Sequence, residues 1–322
     1  MSKIVIIGSG FCSGVLCKNL KANKDLVIFE KSRGPGGRSS SRRVKNIGIF
    51  DHGLQFIAPT EEKFELFLLS HLKNFIKEWK GKFVSFDQKI ENKKKRYVGK
   101  LGNNDFVKNL INTKVHYQKE LANIQKINHK WVMEFIDGSH YESTVLILTL
   151  PLEQCKKIIE SLQINLSFNG KMEPNLTAMV AFDKKLNILA NAFEFQNNPI
   201  LAQVFNESSK LRSDNNSNFE LWTLQSNLVF AQQNISDYKM KKVKILDLMI
   251  NEFLNVFNIK NSNVVHKDIH GWLYAFNLKN FDKKFYWNQE INLGICGDWM
   301  CGSKAENAWS SASSLADQIN NA

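Results

Sequence analysis

The apolar residues near the start of this chain form short, uninterrupted runs. Ile4-Val5-Ile6-Ile7 has no polar alternation, and Leu26-Val27-Ile28-Phe29 repeats the pattern. Such runs are typical of strands that are buried on both faces at the centre of a parallel sheet. Between them, Val15-Leu16 and Leu20 supply the apolar face of a helix. The pattern therefore predicts a strand–helix–strand unit at the start of an α/β fold.

Further along the chain, the period of the apolar positions changes several times. Residues 60–80 repeat with a helical period and predict a helix with one wide apolar face, which we expect to pack in a second domain. A short helix is predicted at 105–111, and the run 145–150 reads as a buried strand that Pro151 ends. Alternating segments predict a small meander at 115–118, 121–127, 131–136 and 141. From about 155 to 287 we expect strands at 176–182, 200–205, 219–224 and 264–275 with a helix at about 236–257.

A glycine-rich turn, Gly8-Ser9-Gly10-Phe11-Cys12-Ser13-Gly14, joins the first strand to the first helix. Glycines at these positions let backbone N–H groups approach a pyrophosphate at a helix N-terminus. Glu30 ends the second strand, where dinucleotide folds place a carboxylate on ribose hydroxyls. Ser13 stands at the third glycine position of the fingerprint and is small enough to be tolerated there. These features together predict a dinucleotide-binding site.

Two further segments carry polar residues next to glycines. Lys31 to Arg38 forms a second glycine-rich turn directly after Glu30, and the planar fork of Arg38 suits paired contacts with phosphate oxygens. A basic surface loop is the alternative interpretation of this turn. Near the C-terminus, an apolar strand ends in Gly297-Asp298 and is followed by a helix rich in small residues.

The order of these motifs resembles the renalase-like branch of the FAD-dependent amine-oxidase superfamily. The resemblance rests on Gly37-Arg38, the pair Arg42-Arg43, Asp51-His52-Gly53 followed by Gln55-Phe56, and the C-terminal Gly297-Asp298. It covers essentially the whole chain. It implies a Rossmann-type FAD-binding domain of the glutathione-reductase/PHBH-like kind, with a discontinuous α+β substrate domain. The FAD-binding domain would comprise residues 1–62, 97–158 and 288–322, and the substrate domain 63–96 and 159–287.

The resemblance also implies which residues contact a non-covalent FAD. His52 would have an ordinary hydrogen-bonding role and no covalent bond to the flavin. The N-terminus of the last helix would stabilise negative charge on the reduced ring. The implied cofactor contacts are Gly8, Gly10, Phe11, Cys12, Ser13, Glu30, Lys31, Gly37, Arg38, Gln55, Phe56, Gly297, Asp298, Glu306 and Ala308.

On the substrate side, the resemblance implies orienting roles and no certain catalytic residue. Gly271 stands where relatives commonly have arginine, which weakens the expectation of a charged substrate contact there. Each of the aromatic residues involved can equally be part of a sheet core. The orienting candidates are His270, Trp272, Tyr274, Trp222 and Asn206.

The implied activity is hydride transfer from a dihydronicotinamide isomer of NAD(P)H to flavin N5, with electrons passed to O2 to give NAD(P)+ and H2O2. Such a substrate needs no general base, and the sequence shows no Ser/His/Asp set, paired carboxylates or metal-ligand spacing. An amine oxidase or a desaturase on the same scaffold, or a flavin-binding protein without turnover, are the alternatives.

Composition indicates which partners and which cell compartment to expect. The net charge of +12 is spread along the 322 residues without clustered aromatics, which argues against nucleic-acid binding. The five cysteines, odd in number and without a CxxC pair, indicate free thiols in a reducing compartment. No apolar stretch reaches the roughly 18 residues of a membrane span, and Met1 leads straight into the first strand. We therefore expect a cytoplasmic protein whose partners are a small-molecule substrate and O2, with its oligomeric state open.

Overall fold

The structure is a computed structural model that describes residues 3–21, 25–88, 90–166, 168–279, 281 and 283–321. Its helices are α1 (Phe11–Asn19), α2 (Glu62–Leu72), α3 (Asn104–Leu110), α4 (Leu152–Ser161), α5 (Leu228–Asn234), α6 (Lys242–Val256) and α7 (Ala305–Asn321).

The strands fall into two larger sheets, a three-stranded meander and two hairpin-like pairs. In the first half of the chain they are β1 (Lys3–Ile7), β2 (Asp25–Phe29), β3 (Ser41–Val44), β4 (Gly48–Asp51), β5 (Ile76–Glu78), β6 (Phe83–Ser85), β7 (Ile90–Glu91), β8 (Tyr97–Gly99), β9 (Lys114–His116), β10 (Leu121–Ile127), β11 (Lys130–Phe135), β12 (His140–Ser143) and β13 (Val145–Leu148). In the second half they are β14 (Met172–Phe182), β15 (Ala192–Glu194), β16 (Leu201–Asn206), β17 (Glu220–Ser226), β18 (Val264–Asn277), β19 (Tyr286–Asn288) and β20 (Leu293–Ile295).

The first large sheet has the order β19-β20-β13-β1-β2-β9, and all neighbours except β19 run parallel. The predicted strand–helix–strand unit is confirmed, with β1 and β2 aligned from Lys3 opposite Asp25 to Ile7 opposite Phe29. The prediction for 115–118 was wrong in part, because Val115 pairs with Ile28 at the edge of this sheet and not with the meander. The meander itself consists of β10, β11 and β12.

Helices α1, α3 and α7 cover one face of this sheet, and the meander together with α4 covers the other. α1, α3 and α7 pack on Ile4 and Ile6, whereas Trp131 and Met133 of the meander pack on Val5. The predicted helix at 60–80 is shorter than expected, since α2 ends at Leu72 and β5 follows. Its apolar face also packs on the core of the first sheet and not in a second domain. An apolar face shows that a helix is buried but does not show against which partner.

The second large sheet has the order β18-β14-β17-β16-β15-β6-β7 and is mostly antiparallel. α6 covers one face of it through Ile245, Met249 and Phe253. The predicted helix at 236–257 corresponds to α6, which begins only at Lys242, and α5, which ends at Asn234, is an additional helix before the predicted range. Gln203 and Gln225 of this sheet line one cavity together with Glu30, which directly follows β2 of the first sheet.

The cysteines and the helices bear on two further predictions. All five cysteines are free thiols, as predicted, and four of them are buried. Burial raises the pKa of Cys17 to about 11 and that of Cys155 to about 12, so both stay protonated at neutral pH. No helix in the described ranges has the length and apolar character needed to span a membrane.

Candidate functional site

One cavity of about 1530 Å³ joins the glycine-rich end of the first sheet to the open face of the second. Its size exceeds the roughly 300–1,000 Å³ of an ordinary small-molecule site, so it has room for a dinucleotide and a second ligand. Most of the predicted site residues line it, namely Gly8, Gly10, Phe11, Cys12, Glu30, Lys31, Gly37, Arg38, Gln55, Phe56, Gly297, Asp298, Ala308, His270, Trp272 and Tyr274.

The first glycine-rich turn has the backbone geometry that a phosphate site requires. Gly8 has a φ of +103°, and a Cβ atom there would lie 2.8 Å from Thr149 Oγ1. At Gly10, by contrast, a Cβ would meet nothing within 4 Å, so its backbone faces open cavity. A Cβ at Gly37 of the second turn would have Gly10 Cα as its nearest neighbour, at 3.7 Å. The two turns therefore meet, and Gly36 N of the second turn donates to the Ser9 carbonyl of the first at 3.0 Å.

Ser13 and Gly14 explain why the departure from the fingerprint is tolerated. Ser13 Oγ donates to the Gly8 carbonyl at 2.7 Å and lies 2.8 Å from Thr149 Oγ1, so it ties the turn to the strand beside it. The close helix packing is provided by Gly14, where a Cβ would lie 2.8 Å from Leu110 Cβ of α3. The close packing expected at the third glycine position is thus provided by Gly14 and not by Ser13.

Glu30 is held in place at the end of β2 by three hydrogen bonds. Its Oε2 accepts from Ser9 N at 2.8 Å and from Ser9 Oγ at 3.0 Å, and its Oε1 accepts from Ser32 N at 2.8 Å. A carboxylate has about four acceptor positions. Glu30 is thus fixed against the turn with acceptor capacity left for a ribose hydroxyl.

Arg38 forms an ion pair that the sequence did not indicate. Its Nη1 and Nη2 bond the two carboxylate oxygens of Asp298, and Nη1 also donates to the Ala275 carbonyl at 2.9 Å. Burial lowers the pKa of Arg38, but the adjacent Asp298 carboxylate outweighs this and raises it above its usual value. Through these bonds Arg38 joins the second turn to β18 and to Gly297-Asp298.

Gln55 is positioned by a cluster of buried charges that sequence analysis missed. Asp51 and Glu207 each bond both Lys210 and Arg212, and all four side chains are fully buried. Lys210 Nζ donates to Asp51 Oδ2 at 2.8 Å, to Glu207 Oε1 at 3.0 Å and to Gln55 Oε1 at 3.2 Å. The cluster is neutral overall and holds Gln55 against the cavity wall.

Two neutral histidines and a tryptophan form the wall opposite the glycine turns. Trp272 Nε1 donates to the His52 carbonyl at 2.7 Å, and its ring stacks on His52 with centroids 5.5 Å apart. His270 lies against both rings, at 4.8 Å and 4.3 Å between centroids. Burial is the main cause that lowers the pKa of His52 to about 3 and that of His270 to about 4. Both imidazoles are therefore uncharged at neutral pH.

The low pKa of His52 is expected to reduce stability in acid. The unfolded chain binds a proton at His52 below about pH 6.5, and the folded protein does so only near pH 3, so protons favour the unfolded state between these values. The contribution of His52 between pH 7 and pH 5 is about 2 kcal/mol. Urea unfolding at pH 7 and pH 5 should show a smaller decrease in the free energy of unfolding for His52→Gln than for wild type. The control His140→Gln removes an exposed histidine. Its free energy of unfolding should decrease between the two pH values by as much as that of wild type.

Two neighbouring side chains pack closely on Gly271. A Cβ atom there would lie 2.6 Å from Tyr238 Cε1 and 3.0 Å from Ile235 Cδ1. The segment after α5 thus occupies the space into which an arginine at this position would extend. A side chain at 271 would require Tyr238 and Ile235 to move.

Four predicted site residues do not line this cavity in the described part of the chain. Ser13 bonds within the turn, and Glu306 accepts from Thr60 N at 3.0 Å and Glu61 N at 2.7 Å. Trp222 points to the opposite face of its strand, where it packs on Phe253, and its Nε1 and Asn206 Nδ2 both donate to Glu220 Oε1. Strand alternation identifies residues that share a face but not the layer that this face meets.

Sequence reasoning also missed several polar side chains of the cavity wall. Gln225 Nε2 donates to the Gly53 carbonyl at 2.9 Å, and Asn175 Nδ2 donates to the Ser226 carbonyl at 2.9 Å. Gln203 lies beside them on β16. These residues alternate with the apolar residues that pack on α6. This period of two is the signal in the sequence that places them together on the face of the sheet away from α6.

Comparisons with known proteins agree with this architecture. A family profile of the NAD(P)-binding Rossmann-like domain matches residues 6–69. Among solved structures, the chain is similar to a protein from Exiguobacterium sp. 255-15 that is provisionally named a protoporphyrinogen oxidase, with a TM-score of 0.75 and 9% identity over 99% of each chain. It is also similar to an oxidoreductase from Methanosarcina mazei, with a TM-score of 0.63 and 12% identity over 98% of this chain and 100% of the other.

A third similar structure is the CLA-producing fatty acid isomerase from P. acnes, with a TM-score of 0.68 and 12% identity over 99% of this chain and 98% of the other. At such low identities these likenesses establish the fold alone. The predicted fold class, a Rossmann-type α/β domain combined with a second sheet, is confirmed.

Proposed function

We propose that this protein is a renalase-like, FAD-dependent oxidoreductase that takes a hydride from a dihydronicotinamide isomer of NAD(P)H. The observation that carries the proposal is the continuous cavity of about 1530 Å³, which connects a dinucleotide turn to a wall of uncharged rings. The oxidoreductases with a similar fold support it. The choice of a dihydronicotinamide as substrate rests on the uncharged rings that line the cavity.

The residues at the glycine turns fit FAD. Gly10 leaves open space where a side chain would stand, and Glu30 keeps acceptor capacity for a ribose hydroxyl. Ser303, Lys304 and Ala305 at the start of α7 also line the cavity, so the positive end of a long helix faces it. When bound, a flavin supplies a two-electron acceptor of hydride whose reduced form can return electrons to O2.

The opposite wall fits a substrate that loses a hydride without losing a proton. A dihydronicotinamide becomes a cationic ring as the hydride leaves, and the ring nitrogen supplies the driving electron pair. His52 and His270 are neutral at neutral pH and do not oppose this positive charge, and Trp272 and Tyr274 line the same cavity with aromatic rings, whose electron-rich faces attract cations. The residues of this wall orient the ring, and none of them has to act as a base.

The overall reaction balances with O2 as the acceptor. The substrate gives up one hydride, which is two electrons and a proton, and becomes NAD(P)+. O2 takes the two electrons, that proton and one more from solvent to become H2O2. We propose O2 because it is the simplest acceptor, and the assay below tests it separately.

The test is an anaerobic titration of the FAD-loaded protein, monitored by the visible absorption of oxidised flavin. A borohydride-reduced NAD+ mixture, which contains isomers with hydride on other ring carbons, is expected to bleach the flavin rapidly. Normal NADH is expected to bleach it much more slowly. Admission of air should restore the colour with one H2O2 per turnover.

Other outcomes assign other functions. Bleaching by amines alone would make the protein an amine oxidase, since the same aromatic wall can hold a neutral amine. Bleaching by none of the compounds would contradict the proposed turnover and favour a flavin-binding protein. Failure to bind FAD at all would overturn the cofactor assignment.

A further inference from the structure

A second, smaller pocket adjoins the main cavity. Its volume is about 270 Å³, and it is formed at the edge of the second sheet by β6, β15 and β16. Phe56, Gln203 and Phe205 line both this pocket and the main cavity. The pocket is smaller than the roughly 300 Å³ at which whole-ligand sites begin, so it suits one end of a molecule whose remainder lies in the main cavity.

Arg96 lines this pocket and is buried without an acidic partner. Only 4% of its surface is exposed. Its Nη1 donates to the Asn92 carbonyl at 3.1 Å and to the Lys94 carbonyl at 2.6 Å. Its Nε is buried and has no hydrogen-bond partner among the described residues. One edge of the guanidinium therefore remains unsatisfied.

The other buried cations of the protein show how unusual this is. Lys210 and Arg212 each bond two carboxylates, whereas no carboxylate of the described chain lies within 4.0 Å of Arg96. Glu194 at the rim of the pocket is exposed and forms no ion pair with it. Burial alone lowers the pKa of Arg96 to about 10. Because an unpaired buried charge is costly, its retention calls for an anion that the chain does not supply.

The surroundings of Arg96 leave its hydrogen-bonding edge available. The guanidinium lies over the Phe83 ring at 3.5 Å and 5.3 Å from the Phe56 centroid, so cation–π contacts stabilise its face. These contacts do not satisfy the donors in its plane. Ser85 Oγ, a second polar atom of the same pocket, is also buried without a hydrogen-bond partner in the described ranges.

We propose that this pocket binds an oxyanion group carried by the substrate, with Arg96 as its principal donor and Ser85 as a second donor. The guanidinium edge matches the paired oxygens of a phosphate or a carboxylate. This inference rests on the proposed function in one respect, since for a dihydronicotinamide nucleotide the oxyanion is a phosphate. For any other substrate with the same reactive end, it is a carboxylate.

A pair of substrates with and without a phosphate tests the phosphate case. The wrong-carbon isomers of reduced nicotinamide mononucleotide and reduced nicotinamide riboside share the same ring and differ in the phosphate. Arg96→Gln is expected to raise KM for the mononucleotide about tenfold to a hundredfold and to leave KM for the riboside and both kcat values unchanged. Lys93→Gln, which removes an exposed charge three residues away, is the matched control and should change neither KM. Equal effects of Arg96→Gln on both substrates would overturn the assignment.

A binding measurement keeps the pocket testable without turnover. Inorganic pyrophosphate and benzoate are added separately to the FAD-loaded protein, and the unfolding temperature is recorded. At least one is expected to stabilise wild type and to lose most of this effect in Arg96→Gln, and the effective probe identifies phosphate or carboxylate. Should Arg96→Gln fold poorly, Ser85→Ala keeps the stacked arginine and should weaken binding about threefold to tenfold.

The two proposals can fail separately. Stabilisation that depends on Arg96 in a protein whose flavin is not bleached by dihydronicotinamides would support the pocket and overturn the proposed substrate. Absence of stabilisation by both probes, or equal stabilisation of wild type and Arg96→Gln, would overturn the pocket.

Discussion

Replacing Lys210 with methionine is expected to lower the free energy of unfolding by about 3–5 kcal/mol at neutral pH. Lys210 Nζ lies 2.8 Å from Asp51 Oδ2 and 3.0 Å from Glu207 Oε1, and these side chains are fully buried. Methionine fills similar space but leaves two buried carboxylates with Arg212 as their one remaining cation in the cluster. The loss would be measured by urea unfolding. An exposed lysine changed in the same way, Lys244→Met, should shift stability by less than about 0.5 kcal/mol.

The pH dependence of this loss distinguishes an unpaired charge from a packing defect. Burial raises the pKa of Glu207 even beside Lys210, and removal of Lys210 should raise it further. Above the usual pKa of about 4.5, the Glu207 carboxyl keeps its proton in the folded variant and releases it in the unfolded chain. The free energy of unfolding of the variant therefore falls as pH rises. The gap from wild type should therefore widen between pH 5 and pH 8. The double variant Lys210→Met/Glu207→Gln restores neutrality and should recover part of the loss, whereas a gap that is constant with pH would contradict this account.

This cluster also shows where sequence reasoning reaches its limit. Asp51 and Glu207 lie far apart in the chain, and each looks like an ordinary solvated acid because most acids are exposed. Only the tertiary fold reveals that β4 and the turn after β16 bring them together. The same holds for Arg38 and Asp298, which both line the cavity and whose ion pair the sequence did not indicate.

The dinucleotide turn could be predicted because its causes are local. Gly8, Gly10 and Glu30 belong to one strand–turn–helix–strand unit, and backbone sterics restrict which residues can stand at each position. The wall residues His270 and Trp272 were found through a family resemblance, and the structure places them on the cavity. For Trp222 the sequence left both an orienting role and a core role open, because alternation along β17 does not tell which face meets α6, and the structure places it in the core.

Gly53→Ala is expected to lower the free energy of unfolding by about 1–3 kcal/mol and to weaken retention of the proposed FAD. A Cβ atom at Gly53 would lie 2.0 Å from the Arg38 carbonyl oxygen and 3.0 Å from its carbonyl carbon. Both neighbours are backbone atoms, so no rotamer change relieves the overlap. Leu54 N already donates to this oxygen at 2.8 Å, and separating the two segments would break that bond.

The displacement would reach the cofactor side because Gly53 and Arg38 both line the cavity. Gln225 bonds the Gly53 carbonyl, and Arg38 holds Asp298, so two walls would shift with the backbone. A misplacement of about 1 Å can cost about a hundredfold in a well-positioned site. FAD dissociation during dilution, together with urea unfolding, measures both effects.

Gly34→Ala is the matched control for this prediction, because it makes the same chemical change in the turn that contains Arg38. A Cβ atom at Gly34 would meet nothing within 4 Å. The control should therefore retain FAD as wild type does, with stability equal to wild type or raised by up to about 1 kcal/mol through the restricted unfolded chain. Equal behaviour of the two variants would show that the contact between Gly53 and Arg38 does not shape the site. Loss confined to Gly53→Ala would show that this backbone contact sets the width of the cavity.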